Sequence, residues 1–202
     1  MLQKVTGMDN PEHTRGDELE RELIKRVLAG ERDEFRTLVE RHQDTIYALV
    51  MRQVGDATVA RELSHEAFVK AYRNLSSFRF ASSFSTWLVR IAMNTTHSYF
   101  SSAHYKARLR NVSLESSPEL LDDHSTDSDP TQRAHEREKV QTLRDAIGSL
   151  KPIYREVVTL CFLESKTYQE AAQILEIPLG TVCSRLNIAQ HKLREKCRRA
   201  SR

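Results

Sequence analysis

The stretch Thr167-Tyr-Gln-Glu170-Ala-Ala-Gln-Ile174-Leu175-Glu-Ile-Pro178-Leu-Gly-Thr181-Val182-Cys-Ser184-Arg185-Leu186 reads as two helices joined by a tight turn. Thr167 and Glu170 have the spacing of a capping box, in which the hydroxyl and the carboxylate each satisfy an orphan backbone amide, so a helix begins there. It turns Ala171, Ile174 and Leu175 inward. Pro178 disfavours helix at the residue before it and suits the first turn of a new one. In the second helix Val182, Leu186, Ala189 and Leu193 form one apolar stripe at helical spacing. Thr181, Ser184, Arg185, Ile188 and Lys192 are left facing out, on a face that can enter a major groove. From residue 185 to the end there are seven Lys or Arg against a single acid, Glu195, which favours a phosphate-bearing partner over an ordinary helical hairpin.

Working outward, charge divides the chain of 202 residues. Between Asn111 and Gln132 there is no Lys or Arg, while Glu115, Glu119, Asp122, Asp123, Asp127 and Asp129 stand among Ser, Thr and Pro. Such a segment buries too little apolar surface to offset its ordering entropy, so an acidic flexible linker is expected. The net charge of +3 conceals this, because the linker cancels much of the basic charge on its flanks. The expected division is a flexible N-terminus at 1–16, a helical domain at 17–106, a linker at 107–136 and a helix-turn-helix domain at 137–202. The fold class is all-α.

Before the linker, Gly and Pro are almost absent and three blocks have helical apolar spacing. Phe35, Leu38, Val39, His42, Ile46, Leu49 and Val50 define the first, which fades at Gly55 and Asp56. Ala60, Leu63, Ala67, Ala71 and Leu75 form the inner stripe of the second, with Glu62, His65, Glu66 and Lys70 opposite. The third runs from Phe84 to about Tyr105, with Trp87, Leu88, Ile91, Ala92 and Thr95 on one face. With a weaker helix over Leu19–Ala29 these form a small bundle.

Between the second and third blocks, Phe78-Arg79-Phe80-Ala-Ser82-Ser83-Phe84-Ser-Thr-Trp87 is dense in aromatics and hydroxyls. Aromatic faces stack on unpaired bases at roughly 1–3 kcal/mol each, so the loop suits single-stranded nucleic acid. Phe84 and Trp87 are more readily explained as plugs of the bundle core than as base contacts. For Phe80, Ser82 and Ser83 the two readings are balanced.

Other classes are poorly supported. Cys161, Cys183 and Cys197 include no CxxC pair, so neither a disulfide framework nor a zinc site is expected, and buried, unreactive thiols fit best. No apolar run approaches the roughly 20 residues that span a bilayer. A cytoplasmic protein without membrane insertion, metal, cofactor or small-molecule substrate is expected. The His and acidic residues show no catalytic constellation, so no enzyme is expected.

Taken in order, these motifs resemble the extracytoplasmic-function group of bacterial RNA polymerase sigma factors, over about Asp17 to Arg198. Glu62-Leu-Ser-His65-Glu66-Ala-Phe68-Val-Lys-Ala-Tyr72 resembles the region 2 helix that docks on the beta-prime clamp helices of core RNA polymerase. Phe78-Arg79 and Phe84-Ser-Thr-Trp87-Leu-Val-Arg90-Ile-Ala-Met-Asn94 resemble the signature that melts and reads the minus-10 element. Leu150-Lys-Pro152-Ile-Tyr-Arg155-Glu156 and the helix-turn-helix resemble region 4, which reads the minus-35 element.

The resemblance implies a polymerase contact through Glu62, His65, Glu66 and Phe68. It implies minus-10 contacts through Phe78, Arg79, Phe80, Ser82, Ser83, Trp87, Arg90 and Asn94, with a flipped base in the loop. Minus-35 contacts fall to Thr181, Ser184, Arg185, Ile188 and Lys192. Promoter DNA, the beta-prime clamp, the beta flap and an anti-sigma factor are the implied partners. The family commonly has Arg at the positions of Cys183, Ile188 and Gln190, so its minus-35 sequence does not carry over. The alternative is a stand-alone helix-turn-helix regulator.

Overall fold

The computed structural model describes residues 11–102, 105 and 130–200, and among them every regular element is helical. The expectations for residues 1–10 and 107–129, most of the N-terminal tail and of the acidic linker, lie outside the described residues. The first half contains α1 (Pro11–Leu28), α2 (Glu34–Val54), α3 (Ala57–Arg73), a 3-10 turn (Leu75–Ser77) and α4 (Phe84–Ser101). The second contains α5 (Pro130–Gly148), α6 (Pro152–Val158), a π-helical turn (Thr159–Leu163), α7 (Tyr168–Leu175) and α8 (Leu179–Ala200).

Local chemistry sets the boundaries. Gly55 closes α2 in the left-handed region, φ 69°, with its N–H donating to Met51 O at 2.8 Å. Asp56 then caps α3 by accepting from Val59 N at 2.9 Å. Ser83 does the same for α4, accepting from Thr86 N at 3.2 Å. Pro152 occupies the first turn of α6, where its missing N–H costs nothing. The α5 helix begins at Pro130, inside the stretch that composition assigns to the linker. A Pro start followed by strong helix formers from Glu136 onward accounts for that extension.

The capping box at α7 forms as its spacing predicts. Glu170 N donates to Thr167 Oγ1 at 3.2 Å, and Thr167 N donates to Glu170 Oε2 at 2.7 Å. The turn that follows is made by Glu176 in the left-handed conformation, φ 54°. Pro178 stands just ahead of α8 rather than inside it, and its carbonyl accepts from Thr181 N at 2.8 Å and Val182 N at 3.2 Å.

The apolar stripes read from the sequence face the core, most of their residues buried and Val39, Trp87, Ile91, Leu175 and Leu193 half-buried against it. Leu38, Ile46, Leu49 and Val50 of α2 meet Ala60, Leu63, Ala67 and Ala71 of α3 and Leu88 and Ala92 of α4. In the second half Val182, Leu186 and Ala189 of α8 pack with Val157, Leu160, Ala171 and Ile174.

The two halves also meet. The α4 helix packs along α7, and the end of α2 meets α6 and the π turn. Gln53 is fully buried there, and its Nε2 donates to Thr159 Oγ1 at 2.8 Å. Arg155 donates to the Gln53 carbonyl and, at 2.9 Å, to Leu150 O. Arg52 pairs with Glu164 at 2.6 Å, and Arg90 pairs with Glu176. Exposed ion pairs of the last kind contribute about 0–1 kcal/mol, so this one adds little beside the buried Gln53–Thr159 bond and the apolar core, which runs through both halves.

Thr167→Ala removes the hydroxyl half of the capping box. It should lower unfolding free energy by about 1 kcal/mol, with Thr167→Ser retaining most of it, read from the midpoint of urea denaturation followed by circular dichroism.

Candidate nucleic-acid interface

Three surfaces carry the residues singled out from sequence. The first is the loop between α3 and α4. Phe78 is buried, and its ring centroid lies 4.9 Å from Phe80, 5.9 Å from Phe84 and 5.2 Å from Trp87. Edge-on and tilted contacts of this kind each add about 0.5–1.5 kcal/mol beyond area burial. Phe84 is also buried, and Trp87 partly so, which matches the core-plug reading of these two rings. Arg79 and Ser82 are exposed, Phe80 and Ser83 half-buried. Phe80 has φ 56°, a conformation that costs an aromatic L-residue of order 1–3 kcal/mol and persists only where the surroundings impose it.

That loop and α1 border a small open hollow of about 30 Å³. Its walls include Phe78, Phe80, Ser82 and Ser83 from the loop and Glu20 and Arg21 from α1. The Arg21 guanidinium sits 5.8 Å from the Phe80 ring centroid. Sequence reasoning gave α1 a packing role only. Glu20 lies on the buried stripe of α1 with Leu23, Ile24 and Val27, and its Oε1 lies 2.9 Å from His42 Nε2 of α2.

Continuing into α4, Arg90 and Asn94 are exposed. Arg90 faces the second half and pairs with Glu176 at the turn of the helix-turn-helix. Nearby, Lys166 Nζ donates to Thr86 Oγ1 at 3.5 Å.

The second surface is the outer side of α3. Glu62, His65 and Glu66 are exposed together, and Glu66 pairs with Lys70 at 2.7 Å across one helical turn. Phe68 does not join them. It is buried on the opposite side among the core residues, where it fixes the helix rather than offering a contact.

The third is α8. Ser184, Ile188 and Lys192 are exposed, and Thr181 is half-buried. Arg185 leans back, so that its Nη1 lies 4.0 Å from Glu156 Oε2, and its side chain keeps 23% of its exposure. Glu156 is almost wholly buried, and its other oxygen lies 3.3 Å from His97 Nδ1 of α4. Burial raises the Glu156 pKa above the usual carboxylate range, with His97, Arg185 and Arg155 each opposing that rise.

Nothing in the described residues points to metal or thiol chemistry. No group of three or more His, Cys, Asp or Glu is placed to hold an ion among them. Cys161 and Cys183 are free thiols, and burial, then the nearby Cys183, pushes the Cys161 thiol up to about 11, which keeps it protonated and unreactive. No helix of the described residues is long and apolar enough to cross a membrane.

Comparison with known proteins accords with this geometry. Residues 38–104 match the sigma-70 region 2 family and residues 141–189 match sigma-70 region 4. The chain is 34% identical to the RNA polymerase sigma-H factor of Pseudomonas aeruginosa over 171 residues, 84% of this chain and 89% of that protein. It is 35% identical to the ECF RNA polymerase sigma-E factor of Escherichia coli K12 over 180 residues, 86% and 92% of the two chains. With the ECF sigma factor SigW of Bacillus subtilis it shares 32% over 183 residues, 87% and 95%.

Among solved structures, the sigma factor RpoE of Bartonella quintana in complex with the anti-sigma factor NepR superposes with a TM-score of 0.63 at 21% identity, covering 82% of this chain and 97% of that one. CnrH in complex with the cytosolic domain of CnrY gives 0.56 at 23%, covering 87% and 94%. Both share the fold. With two regions matched in order and relatives above 30% identity along most of its length, the chain belongs to the sigma-70 family of RNA polymerase sigma factors, in the extracytoplasmic-function group.

Proposed function

We propose that the chain is an alternative sigma factor that binds core RNA polymerase, recognises minus-35 and minus-10 promoter elements and promotes strand opening at transcription initiation. The observation that carries this is the pairing, on one chain and in order, of an aromatic loop suited to unpaired bases with a capped helix-turn-helix ending in a basic helix. Neither half alone needs to bind a promoter tightly. Presenting both to one DNA raises the effective concentration of the second contact. The chemistry is binding and strand separation, not catalysis by this chain, and it takes place where polymerase and chromosome are, in the cytoplasm.

The residues divide by role. Glu62, His65 and Glu66 form the face offered to the beta-prime clamp, with Phe68 supporting it from beneath, and region 4 is the part suited to the beta flap. Arg79, Phe80, Ser82 and Ser83 meet the melted minus-10 strand, with Phe78 and Trp87 as the platform that holds the loop and Arg90 and Asn94 beside it. Ser184, Ile188, Lys192, Thr181 and Arg185 face the minus-35 duplex, where Ile188 suits the thymine methyl group. An anti-sigma factor is the expected regulator, since RpoE and CnrH are each found bound to a partner protein.

The arrangement of the two halves adds a requirement. Arg90 is held by Glu176 and Arg185 by Glu156, so two side chains proposed to meet DNA are turned to carboxylates of the same chain. Only the Arg90–Glu176 pair crosses between the halves, so freeing Arg90 requires the seam between α4 and α7 to open, whereas Arg185 is released within the second half alone.

Three outcomes test this reading. Run-off transcription with purified core polymerase on pooled promoter fragments should give discrete new start sites only when the protein is present. No new transcripts, with no comigration of protein and core enzyme, would remove the assignment. Reversing Glu62 and Glu66 to Lys should weaken core binding at least tenfold in fluorescence titration while the circular dichroism spectrum is retained. Glu164→Ala with Glu176→Ala should loosen the seam. The radius of gyration of the free protein from small-angle scattering should rise, and unchanged scattering would show that these pairs do not hold the halves together.

A further inference from the structure

The outward face of α8 carries two exposed polar residues, Asn187 and His191, beside those proposed to meet the minus-35 duplex. The inward stripe of the helix is Val182, Leu186 and Ala189, buried, and Leu193, half-buried. At 3.6 residues per turn, Ser184 and His191 stand about 10° from the direction opposite that stripe, and Asn187 and Ile188 about 50° to either side of it. All four are exposed. Lys192 and Arg194 lie farther round on opposite flanks and are exposed too, placed for the two phosphate strands that border a groove. Arg185 is about 110° from the outward direction, in keeping with its turn toward Glu156.

Of these outward residues, Asn187 has the polar group best placed to read a base. Ser184 Oγ already donates to Thr181 O at 3.0 Å, and Ile188 is apolar. His191 lies a turn farther along, whereas recognition helices read base edges with their N-terminal residues. Among the described residues the Asn187 amide has no hydrogen-bond partner. It caps neither end of a helix that runs from Leu179 to Ala200. Asn is a poorer helix former than Ala, Lys or Gln, because its short amide competes with the backbone. In mid-helix, exposed and without a partner, it weakens α8 and returns nothing to the free chain.

A groove supplies the missing partner. The Asn amide sets one donor beside one acceptor, the complement of adenine N7 and N6 in the major groove. Guanine offers two acceptors at the same place, so one of them would face the Asn oxygen. We infer that Asn187 is a specificity-determining residue of the minus-35 contact, selecting adenine over guanine at one base pair. This rests on the minus-35 reading of α8. Lys192 and Arg194 set the depth and register of the helix through phosphate, and Asn187 reads the base.

The test uses holoenzyme reconstituted from core polymerase and the full chain, with promoter fragments randomised across the minus-35 region. Bound fragments are separated and sequenced. At one position the unaltered chain should favour adenine over guanine by about tenfold, the range of a good bidentate contact. Asn187→Ala should bring that ratio to within about twofold. Asn187→Arg, whose guanidinium donates to both guanine acceptors, should turn the preference at the same position to guanine. With 7-deazaadenine there, which keeps its pairing with thymine but lacks the N7 acceptor, the unaltered chain should bind about fivefold more weakly and Asn187→Ala should be unaffected. Preferences at the other minus-35 positions should stay as they are, which a general loss of folding would not produce.

An adenine preference that Asn187→Ala leaves in place, or none at any minus-35 position while other bases are selected there, would overturn the inference. Holoenzyme with no base preference anywhere in the minus-35 region would overturn the minus-35 reading together with it, and so is distinguishable from failure of Asn187 alone.

Discussion

The last turn of α2 carries the interaction on which the arrangement of the chain depends. Gln53 is fully buried at the end of that helix, and both its side chain and its backbone carbonyl are bonded to the second half, through Thr159 and Arg155. A buried amide left without partners costs about 1–3 kcal/mol, so in the closed arrangement these contacts are obligatory. They are not complete. Gln53 Oε1 and Arg155 Nε are buried with no protein partner, whereas water would satisfy both if the halves parted. The apolar core runs through both halves beside these groups, so the seam combines apolar burial with a polar network that is only partly satisfied.

Electrostatics follow the same logic. The acids that face Arg90 and Arg185 in the closed chain differ in setting. Glu176 is about half exposed, so its pair with Arg90 is screened and weak. Glu156 is buried, with its pKa raised by burial, and it gathers His97 from α4 and Arg185 from α8 around one carboxyl group. Glu156 thus shares its charge between α8, through Arg185, and the seam, through His97 of α4. Such sharing couples the sites only as far as the two states differ in contact free energy, and His97 joins them because it sits on the helix that bears Arg90.

Much of this was legible in the sequence, and the exceptions share a cause. Helix existence, the buried stripes and the capping box at Thr167 and Glu170 depend on local spacing, and the structure has them where spacing places them. The Phe84 and Trp87 rings went to the core because a loop rich in aromatics beside a bundle has a nearby apolar site to fill. The burial of Phe68 on the far side of α3 could have been read from its place beside Ala67 and Ala71 in the inner stripe. What spacing could not supply was contact between elements far apart in the chain. Glu20 meeting His42, Arg90 meeting Glu176 and Arg185 meeting Glu156 join residues whose separations have no periodic signature, and each involves a charge that a sequence reading assigns to solvent by default.

The loop at Phe80 brings the local and the long-range together. Its left-handed backbone is unfavourable for an aromatic residue, and no hydrogen bond of a tight turn accounts for it among the described residues. What holds it is packing from both sides: the Phe78 ring beneath, itself locked by Phe84 and Trp87, and the Arg21 guanidinium above. The α1 helix is therefore more than an N-terminal brace for the bundle. By packing over Phe80 it fixes the loop, and a loop already ordered spares the entropy that a mobile one would lose on binding. Strand opening has to overcome base stacking, so every part of the binding free energy not spent on ordering the protein is available to hold the base out.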